Sequence, residues 1–507
     1  MAINDRVTRA GLEAVSPDDV ADAMRLADVE ADAMRSLPPA YPSRCEGSGR
    51  AVTGSLLDSR LCSGGAEGEA MQHLSLAHIR AALEGGTLTP SALLIAVLDR
   101  IDAVDGRLNS FVAIDHVGAK VAADASAARW ASGQALGPLD GIPVGIKDVI
   151  DVAGMPTRCH SRLTSGAPAE HDAAIVARLR AAGAIMLGKL ATHEFAIGGP
   201  AFDLPFPPAR NPWNVDHHPG GSSSGAGAAV ASGLVPLAIG TDTAGSVRNP
   251  ASACGVVGLK PGYGVLSCEG VVPLAWTLDH IGLLTRSAAD MAIVSESLGI
   301  GGRAAGSRLR VGYVRHFHTR DMIATPDVAA ALDRAAEALG ATQIDLPALD
   351  DFALVNRVIL QSEGFAFHAT NFRARPDEFS ASTRKALLPG AFLSAETLAI
   401  AYRQRTLLTA AVDAAFTAVD ILLTASSMEP ACRIDDPAEI ARTYMLQARS
   451  PFNVTGHPAL AMGAGLSPDG LPLSVQFAAP MRGEGTLIAV AAMWEAAMGG
   501  PMIAPID

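Results

Sequence analysis

Apolar residues recur at helical spacing in several segments of the chain, and each segment begins with a capping signal. Ser16 and Pro17 precede the first, in which apolar positions three or four residues apart continue to Met34. Pro38 and Pro39 then end the pattern. Further helices are predicted after four residues that carry similar signals: Ser75, Thr89, Asp172 and Thr325.

A fully apolar run follows one of these predicted helices directly. Residues 184–187, with the sequence AIML, come just after Gly183, which ends the helix. Helix, glycine and buried strand in succession are typical of a sheet that helices cover on both faces. The pattern therefore predicts an α/β fold, with residues 73–507 as one large domain.

Residues 1–72 lack this regular alternation and are predicted to form an N-terminal helical extension and linker. From about residue 37 to residue 71 the chain is rich in Gly, Ser, Pro and Arg and shows no periodicity. Two interpretations of that stretch stay open: a strap or oligomer arm, and a disordered leader.

Composition and charge exclude several classes of protein. The 507 residues are 49% hydrophobic and 18% charged, so the chain can bury a large core and is not disordered over its length. The net charge of −13 and the absence of a Lys/Arg run argue against nucleic-acid binding. No stretch of 18 apolar residues and no apolar leader segment occurs. We therefore expect a cytoplasmic protein with no membrane or nucleic-acid partner.

Metal and disulfide chemistry find no support in the sequence. The six cysteines are far apart and include no C-x-x-C pair. His193 and Glu194 begin an H-E-x-x-H pattern, but Ile197 stands at its last position. We expect no metal and no cofactor.

Lys147 ends the apolar run within the first of three segments that carry candidate chemistry, GIPVGIKD at 141–148. A lysine in such an apolar run is expected to be partly buried. Burial lowers the pKa of an ammonium group, which a general base requires. The alternative is a strand-end lysine that reaches water or pairs with Asp148.

The second segment, PGGSSSGAG at 219–227, allows several interpretations. A phosphate loop is excluded because it needs a lysine before its Ser or Thr. A dinucleotide-binding loop needs a preceding strand, whereas two histidines and a proline precede this one. G-x-S-x-G at 221–225 matches a nucleophile elbow centred on Ser223, but the elbow also needs a strand. A tight packing loop remains a further alternative.

The third segment, GTDTAGSVRNP at 240–250, places Ser246 on a glycine-bearing turn after an apolar run. Backbone amides of such a turn can stabilise an oxyanion. Asp242 and Arg248 flank the serine and could pair across the turn. The alternative is an ordinary turn with an ion-pair brace.

Together the three segments resemble the amidase signature family. Ser222 follows Lys147 by 75 residues, and Ser246 follows Ser222 by 24. GLKP at 258–261, N-x-x-G-x-P at 453–458, GLP at 470–472 and VQ at 475–476 also look like that family. The resemblance covers roughly residues 73–500. It implies the amidase signature fold, with a central mixed, twisted β-sheet covered by helices on both faces.

The resemblance also implies a Ser–Ser–Lys triad, with Ser246 as nucleophile, Ser222 as proton relay and Lys147 as base. It implies a cis peptide bond at Ser222. Ser223, Asp242 and Arg248 are expected to support the triad. The oxyanion hole would consist of backbone amides, those of Thr243, Ala244, Gly245 and Ser246.

Two residues depart from the family pattern, and one loop is assigned to the substrate channel. Ala244 and Ser224 stand where most members have glycine. Ala244 is compatible with the turn if its φ is negative. In similar enzymes the loop that begins at residue 198 approaches the substrate. The resemblance therefore makes four of its residues candidates for the channel lining: Gly198, Gly199, Phe202 and Phe206. Core or loop packing is the alternative for Phe202 and Phe206.

The sequence therefore predicts a C–N hydrolase that cleaves a small-molecule amide or carbamate through an acyl-enzyme. Two alternatives remain. One is the glutamine-hydrolysing A-type subunit of a tRNA-dependent amidotransferase, which would share these motifs. The other is a non-catalytic scaffold with the same fold. A homodimer is left open as the oligomeric state.

Overall fold

The computed structural model describes residues 3–41, 75–301 and 309–506, and these residues contain an eleven-stranded sheet. The strands run across the sheet in the order β1-β3-β2-β4-β6-β5-β10-β11-β9-β7-β8. Their bounds are β1 Phe111–Ile114, β2 Pro143–Lys147, β3 Ile185–Leu190, β4 Leu237–Asp242, β5 Val257–Lys260, β6 His280–Thr285, β7 Val311–Tyr313, β8 Thr342–Gln343, β9 Ile421–Thr424, β10 Ala459–Leu466 and β11 Pro472–Ala478.

The sheet is mixed, as predicted. β2 pairs in parallel with both β3 and β4, whereas β4, β6, β5, β10, β11 and β9 pair antiparallel in succession. Every residue of β2, β3 and β4 is buried, because helices cover this part of the sheet on both faces. Since β2 and β4 are parallel neighbours, their carboxyl ends lie at the same edge of the sheet.

Helices account for most of the remaining regular structure. Their bounds are α1 Ile3–Ala10, α2 Pro17–Ser36, α3 Leu76–Glu84, α4 Pro90–Leu108, α5 His116–Ala131, α6 Ala174–Ala181, α7 Ser224–Ala231, α8 Arg248–Cys254, α9 Ala288–Ser297, α10 Pro326–Ala338, α11 Leu349–Ala374, α12 Ala381–Leu387, α13 Ala395–Ala415, α14 Pro437–Met445, α15 Pro451–Val454 and α16 Glu484–Ala497. Over the described ranges, none of the helices is both long and apolar enough to cross a membrane.

Most of the predicted caps are present in the structure. The side chains of Ser16, Ser75 and Thr89 each accept a hydrogen bond from the backbone N–H three residues later. Thr325 directly precedes α10 but its side chain makes no capping hydrogen bond, and α6 begins at Ala174, two residues after Asp172, also with no side-chain cap. The Asp172 carboxylate instead accepts from the Ala153 N–H at 2.8 Å and from Arg180 Nε at 2.8 Å.

The N-terminal helix α2 packs against the body of the protein. Its buried Glu30 accepts a hydrogen bond from Arg357 Nε on α11 at 2.7 Å. Just beyond α2, the carbonyl of Pro38 accepts from Gln404 Nε2 on α13 at 3.0 Å. Most of the predicted linker, from residue 42 to residue 74, lies outside the described residues.

Candidate active site

Lys147 and Asp242 are the last residues of β2 and β4, so both lie at the carboxyl edge of the sheet. Two loops reach the same edge. The Gly/Ser loop, which is the second segment at 219–227, leads into α7, and the turn that carries Ser246 connects β4 to α8. The topology therefore brings together the three segments that stand far apart in sequence.

The Lys147 side chain is completely buried and contacts two hydroxyl groups. Its Nζ lies 2.8 Å from Ser222 Oγ and 2.7 Å from Thr241 Oγ1. Burial lowers the pKa of Lys147 to about 7, although the charges of Asp242 and Asp279 raise it in part. The neutral form of Lys147, which a general base requires, is therefore accessible near neutral pH.

The alternative in which Lys147 reaches water or pairs with Asp148 is not what the structure shows. Asp148 Oδ1 lies 3.2 Å from Nζ of Lys189, a buried lysine of β3. Lys147 has the two hydroxyls as neighbours and no exposed surface.

The serines of the Gly/Ser loop point to different places. The Gly221–Ser222 peptide bond is cis, and Ser222 lines the same cleft as Ser246. Ser223 is fully buried, and its hydroxyl exchanges hydrogen bonds with the backbone of Thr241 in β4. Its own N–H donates to the Ser246 carbonyl at 3.1 Å. Ser223 thus braces the loop against the sheet, while Ser222 faces the cleft.

The Ser246 turn is organised by the carboxylate of Asp242. It accepts from the backbone N–H of Gly245 at 2.8 Å and of Val247 at 3.2 Å. Gly245 has a φ of 114°, which only glycine adopts readily, whereas Ala244 is not among the residues with positive φ. The alanine at 244 therefore fits the turn without strain.

The amides predicted for the oxyanion hole are not equivalent. The Gly245 N–H is engaged by Asp242, so it holds the turn together and does not face a substrate. For the amides of Thr243, Ala244 and Ser246, no acceptor is found in the described part of the chain. Those three are the amides left to stabilise an oxyanion.

Asp242 and Arg248 form a completely buried ion pair, with 2.9 Å between Asp242 Oδ1 and the Arg248 guanidinium. Burial alone would raise the pKa of Asp242, but the Arg248 charge and hydrogen bonds hold it well below its usual value. Arg248 also donates to Gln476 Oε1 at 2.7 Å, and Asn453 Nδ2 donates to Asp242 Oδ1 at 2.9 Å. Asn453 and Gln476, which belong to the N-x-x-G-x-P and VQ motifs near the end of the sequence, thus help to hold the ion pair beside the Ser246 turn.

Replacing Arg248 by methionine is expected to lower the free energy of unfolding by about 3–5 kcal/mol, because it leaves Asp242 buried without its partner. Urea unfolding followed by circular dichroism measures this. Arg433→Met is the matched control, since Arg433 pairs with Asp435 at the exposed surface. A loss no larger than that of the control would contradict the bracing role of the pair.

A cleft of about 520 Å³ opens beside Ser246. Gly198 lines it, whereas Gly199 lies beside Ile440. Phe202 and Phe206 border a separate depression with Arg210. Phe202 is exposed and the Phe206 ring packs on His160, with ring centroids 5.2 Å apart, so neither residue lines the cleft.

Sequence reasoning assigned no role to Thr241, Asp279 or Asn453. Side chains alternate along a strand, so Thr241 points toward Lys147 while its neighbour Asp242 points toward Arg248. That alternation could have identified Thr241 from the sequence. Asp279 accepts from Thr243 Oγ1 at 2.6 Å, and burial raises the pKa of Asp279 to about 6. No sequence signal linked it to the turn.

In the H-E pair at 193–194, the Glu194 carboxylate is held by hydrogen bonds within the protein. Glu194 accepts hydrogen bonds from Ser161 Oγ at 2.6 Å and from the Ser380 N–H at 2.8 Å. Across the described ranges, no group of three His, Cys, Asp or Glu side chains is arranged to hold a metal ion.

Sequence comparisons show which known proteins the chain resembles. The sequence profile of the amidase family matches residues 92–299 and 301–488. The A-type subunit of the glutamyl-tRNA(Gln) amidotransferase of Roseiflexus castenholzii is 35% identical over 458 residues, which is 80% of this chain and 92% of the relative.

Solved structures of similar fold include an amidase and a peptide amidase. A crystal structure of an amidase has a TM-score of 0.76 and 31% identity, and the match covers 84% of this chain and all of that one. The peptide amidase of Stenotrophomonas maltophilia has a TM-score of 0.72 and 27% identity, with 86% and 99% covered. With the family profile matching most of its length, the chain belongs to the amidase signature family of C–N hydrolases.

Proposed function

We propose that the protein hydrolyses amide bonds through an acyl-enzyme on Ser246. The observation that carries this proposal is the 2.8 Å contact between Lys147 Nζ and Ser222 Oγ, in the cleft that Ser246 also lines. A serine hydroxyl needs a base to take its proton, and a lysine with a pKa of about 7 provides one.

The first half-reaction starts from the contacts of Lys147 Nζ with the hydroxyls of Thr241 and Ser222. In its neutral form Lys147 has a lone pair that can take the hydroxyl proton of Ser222 across the 2.8 Å contact. Ser222 in turn takes the Ser246 proton as Ser246 Oγ attacks the amide carbon. The free amides of the turn stabilise the resulting oxyanion. When the C–N bond breaks, the proton returns through Ser222 to the departing amine.

Water completes the reaction in a second half-reaction. It loses a proton to the same relay as it attacks the ester, which releases the acid and restores the Ser246 hydroxyl. A carbamate would be cleaved by the same steps, and the carbonic acid derivative released would then lose carbon dioxide. Both substrate classes therefore belong in a test of activity.

A second candidate is the A-type subunit of a tRNA-dependent amidotransferase. It is favoured by a specific finding, the 35% identity to an amidotransferase subunit over nearly the whole of that relative. Such a subunit would hydrolyse glutamine by the same chemistry and pass the ammonia to a partner.

Ammonia release by the purified chain alone distinguishes the two candidates. Glutamine, simple primary amides and an alkyl carbamate are offered separately, with Ser246→Ala as the control. Turnover of simple amides or carbamates without a partner supports the independent hydrolase. Turnover of glutamine alone, at a rate that rises when partner subunits are added, supports the amidotransferase.

The activity is expected to rise with pH and to level off above about pH 7. Lys147 acts as a base only when neutral, and its pKa is about 7. Below that value the neutral fraction, and with it kcat/KM, falls about tenfold per pH unit. A pH–rate profile between pH 5 and pH 9 measures this, and a profile that falls as the pH rises through 7 would contradict Lys147 as the base.

A further inference from the structure

The cleft beside Ser246 contains a buried arginine that the proposed hydrolysis does not use. Arg449 is 3% exposed and lines the cleft together with Ser246. Its side chain lies directly against Gly245, since a Cβ at that glycine would stand 2.6 Å from Arg449 Nε. The guanidinium is therefore next to the turn that carries the proposed nucleophile.

The positive charge of Arg449 is poorly compensated by the protein. Its Nη1 donates to Ser427 Oγ at 2.7 Å and to the Ser426 carbonyl at 3.0 Å, both of which are neutral groups. Its Nε has no partner in the described part of the chain. The carboxylate charge that favours the guanidinium comes from Asp242, which already pairs with Arg248.

These surroundings make the positive charge on Arg449 energetically unfavourable. Burial and the nearby Arg248 charge lower the pKa of Arg449 to about 9. A buried guanidinium is usually paired with an anion, and leaving one unpaired is strongly unfavourable. An anion brought by a ligand would relieve that cost.

Neutral groups surround the same part of the cleft. The Tyr444 hydroxyl lies 3.3 Å from His218 Nε2 and 3.4 Å from His193 Nδ1. Burial lowers the pKa of His218 to about 3 and that of His193 well below its usual value, so both imidazoles are neutral. The Gly220 N–H donates to His218 Nδ1, so the proton of the neutral His218 is on Nε2, which lies 3.3 Å from the Tyr444 hydroxyl and 3.4 Å from His193 Nε2. Tyr444 and His193 line the cleft together with Arg449.

The lining of the cleft combines apolar and polar side chains. The apolar ones are Ala196, Ile197, Leu274 and Leu360, and the polar ones include Asn249, Tyr444, Gln447 and Arg449. A molecule with an amide at Ser246 and a charged group within reach of Arg449 would match this lining.

We propose that the cleft takes small amides that also carry a carboxylate, and that Arg449 binds this carboxylate. The proposal rests on the proposed hydrolysis at Ser246 and names its substrate class. A guanidinium can hold a carboxylate through two parallel hydrogen bonds, and the acceptors that Arg449 has within the described residues are all neutral. The Tyr444 hydroxyl adds a hydrogen-bonding group beside it.

Two matched pairs of amides test the proposal, each pair differing only in a carboxylate that replaces a methyl group. Succinamate and butyramide place the difference on the acyl side, and N-acetylglycinate and N-ethylacetamide place it on the amine side. In the wild type, kcat/KM is expected to favour the carboxylate member of at least one pair by about tenfold or more. No preference in either pair would overturn the proposal.

Variants then assign the preference to Arg449. In Arg449→Met the preference should fall by about tenfold or more, mainly through a higher KM for the carboxylate substrate. Arg449→Lys keeps the charge without the planar fork and should retain part of the preference. Arg25→Met, an exposed arginine of α2, is the matched control and should leave it unchanged. A full preference in a folded Arg449→Met enzyme would overturn the proposal, and the wild-type comparison decides if that variant does not fold.

Ser246→Ala separates this proposal from the one on which it rests. Hydrolysis that persists in Ser246→Ala would show that the proposed function is wrong. A second outcome combines two results: hydrolysis is lost in Ser246→Ala, and the wild type shows no carboxylate preference. That outcome would show that only the proposed role of Arg449 is wrong. If turnover is too slow to measure, calorimetric binding of the same four amides to Ser246→Ala gives the same comparison, with the same two outcomes.

Discussion

Replacing Ser246 by alanine is expected to lower kcat by at least about 10⁴-fold on any amide that the wild type hydrolyses. The reason is that the attacking oxygen is gone, and the remaining turn amides and cleft contacts give only the residual acceleration of a site without its nucleophile. Steady-state ammonia or amine release measures the effect. Ser246 is only half-buried, so the loss of its hydroxyl should leave the fold intact.

The matched control is Ser224→Ala, on the Gly/Ser loop that faces the Ser246 turn. The Ser224 hydroxyl makes a long contact of 3.4 Å with the Ala191 carbonyl and does not line the cleft. Activity within a few-fold of the wild type is expected for this variant. A Ser246→Ala enzyme that keeps even a tenth of its activity would mean that another residue attacks the substrate.

Replacing Lys147 by alanine is expected to lower kcat by about 10³-fold or more, since the base and the nucleophile act as one unit. The alanine leaves Ser222 without the group that takes its proton. Measurement at pH 7 and at pH 9 is informative, because the loss should be larger at pH 9, where the wild-type lysine is almost entirely neutral.

Lys120→Ala provides the control for removal of a lysine, because Lys120 is an exposed residue of α5 that pairs with Asp124. It should leave both the rate and the pH profile unchanged. Near-normal rates for Lys147→Ala at pH 7 would contradict the relay from Ser246 through Ser222 to Lys147.

The architecture could be predicted because it rests on local patterns. Capping residues and apolar spacing located α2, α3, α4 and α10, and the apolar run after Gly183 located β3. The start of α6 was displaced by two residues, because Asp172 bonds to Ala153 and Arg180 and does not cap the helix. The preference of aspartate for helix caps does not reveal such a competing contact with other segments.

The site could be predicted in part. Each of the three segments that carry candidate chemistry has an ordinary structural explanation when taken alone, and only their combination indicated a common site. The sequence could not show that Ser222 faces the cleft and Ser223 faces β4, because that depends on the backbone geometry of the loop.

Contacts between distant residues were beyond the reach of the sequence. Arg449 lies about 200 residues from the Ser246 turn, and no local pattern places it against Gly245. Phe202 and Phe206 were assigned to the channel because of their loop, but the aromatic packing of Phe206 on His160 turns that part of the loop away from the cleft.

The most direct test of the central claim is labelling of the wild-type protein with a fluorophosphonate probe, followed by peptide mapping of the modified serine. Label on Ser246, absent from Lys147→Ala at neutral pH, is the predicted result. Label on Ser223 would contradict the proposed triad and favour the nucleophile elbow. No label on the folded protein, with or without amidotransferase partners, would contradict Ser246 catalysis and favour a non-catalytic scaffold.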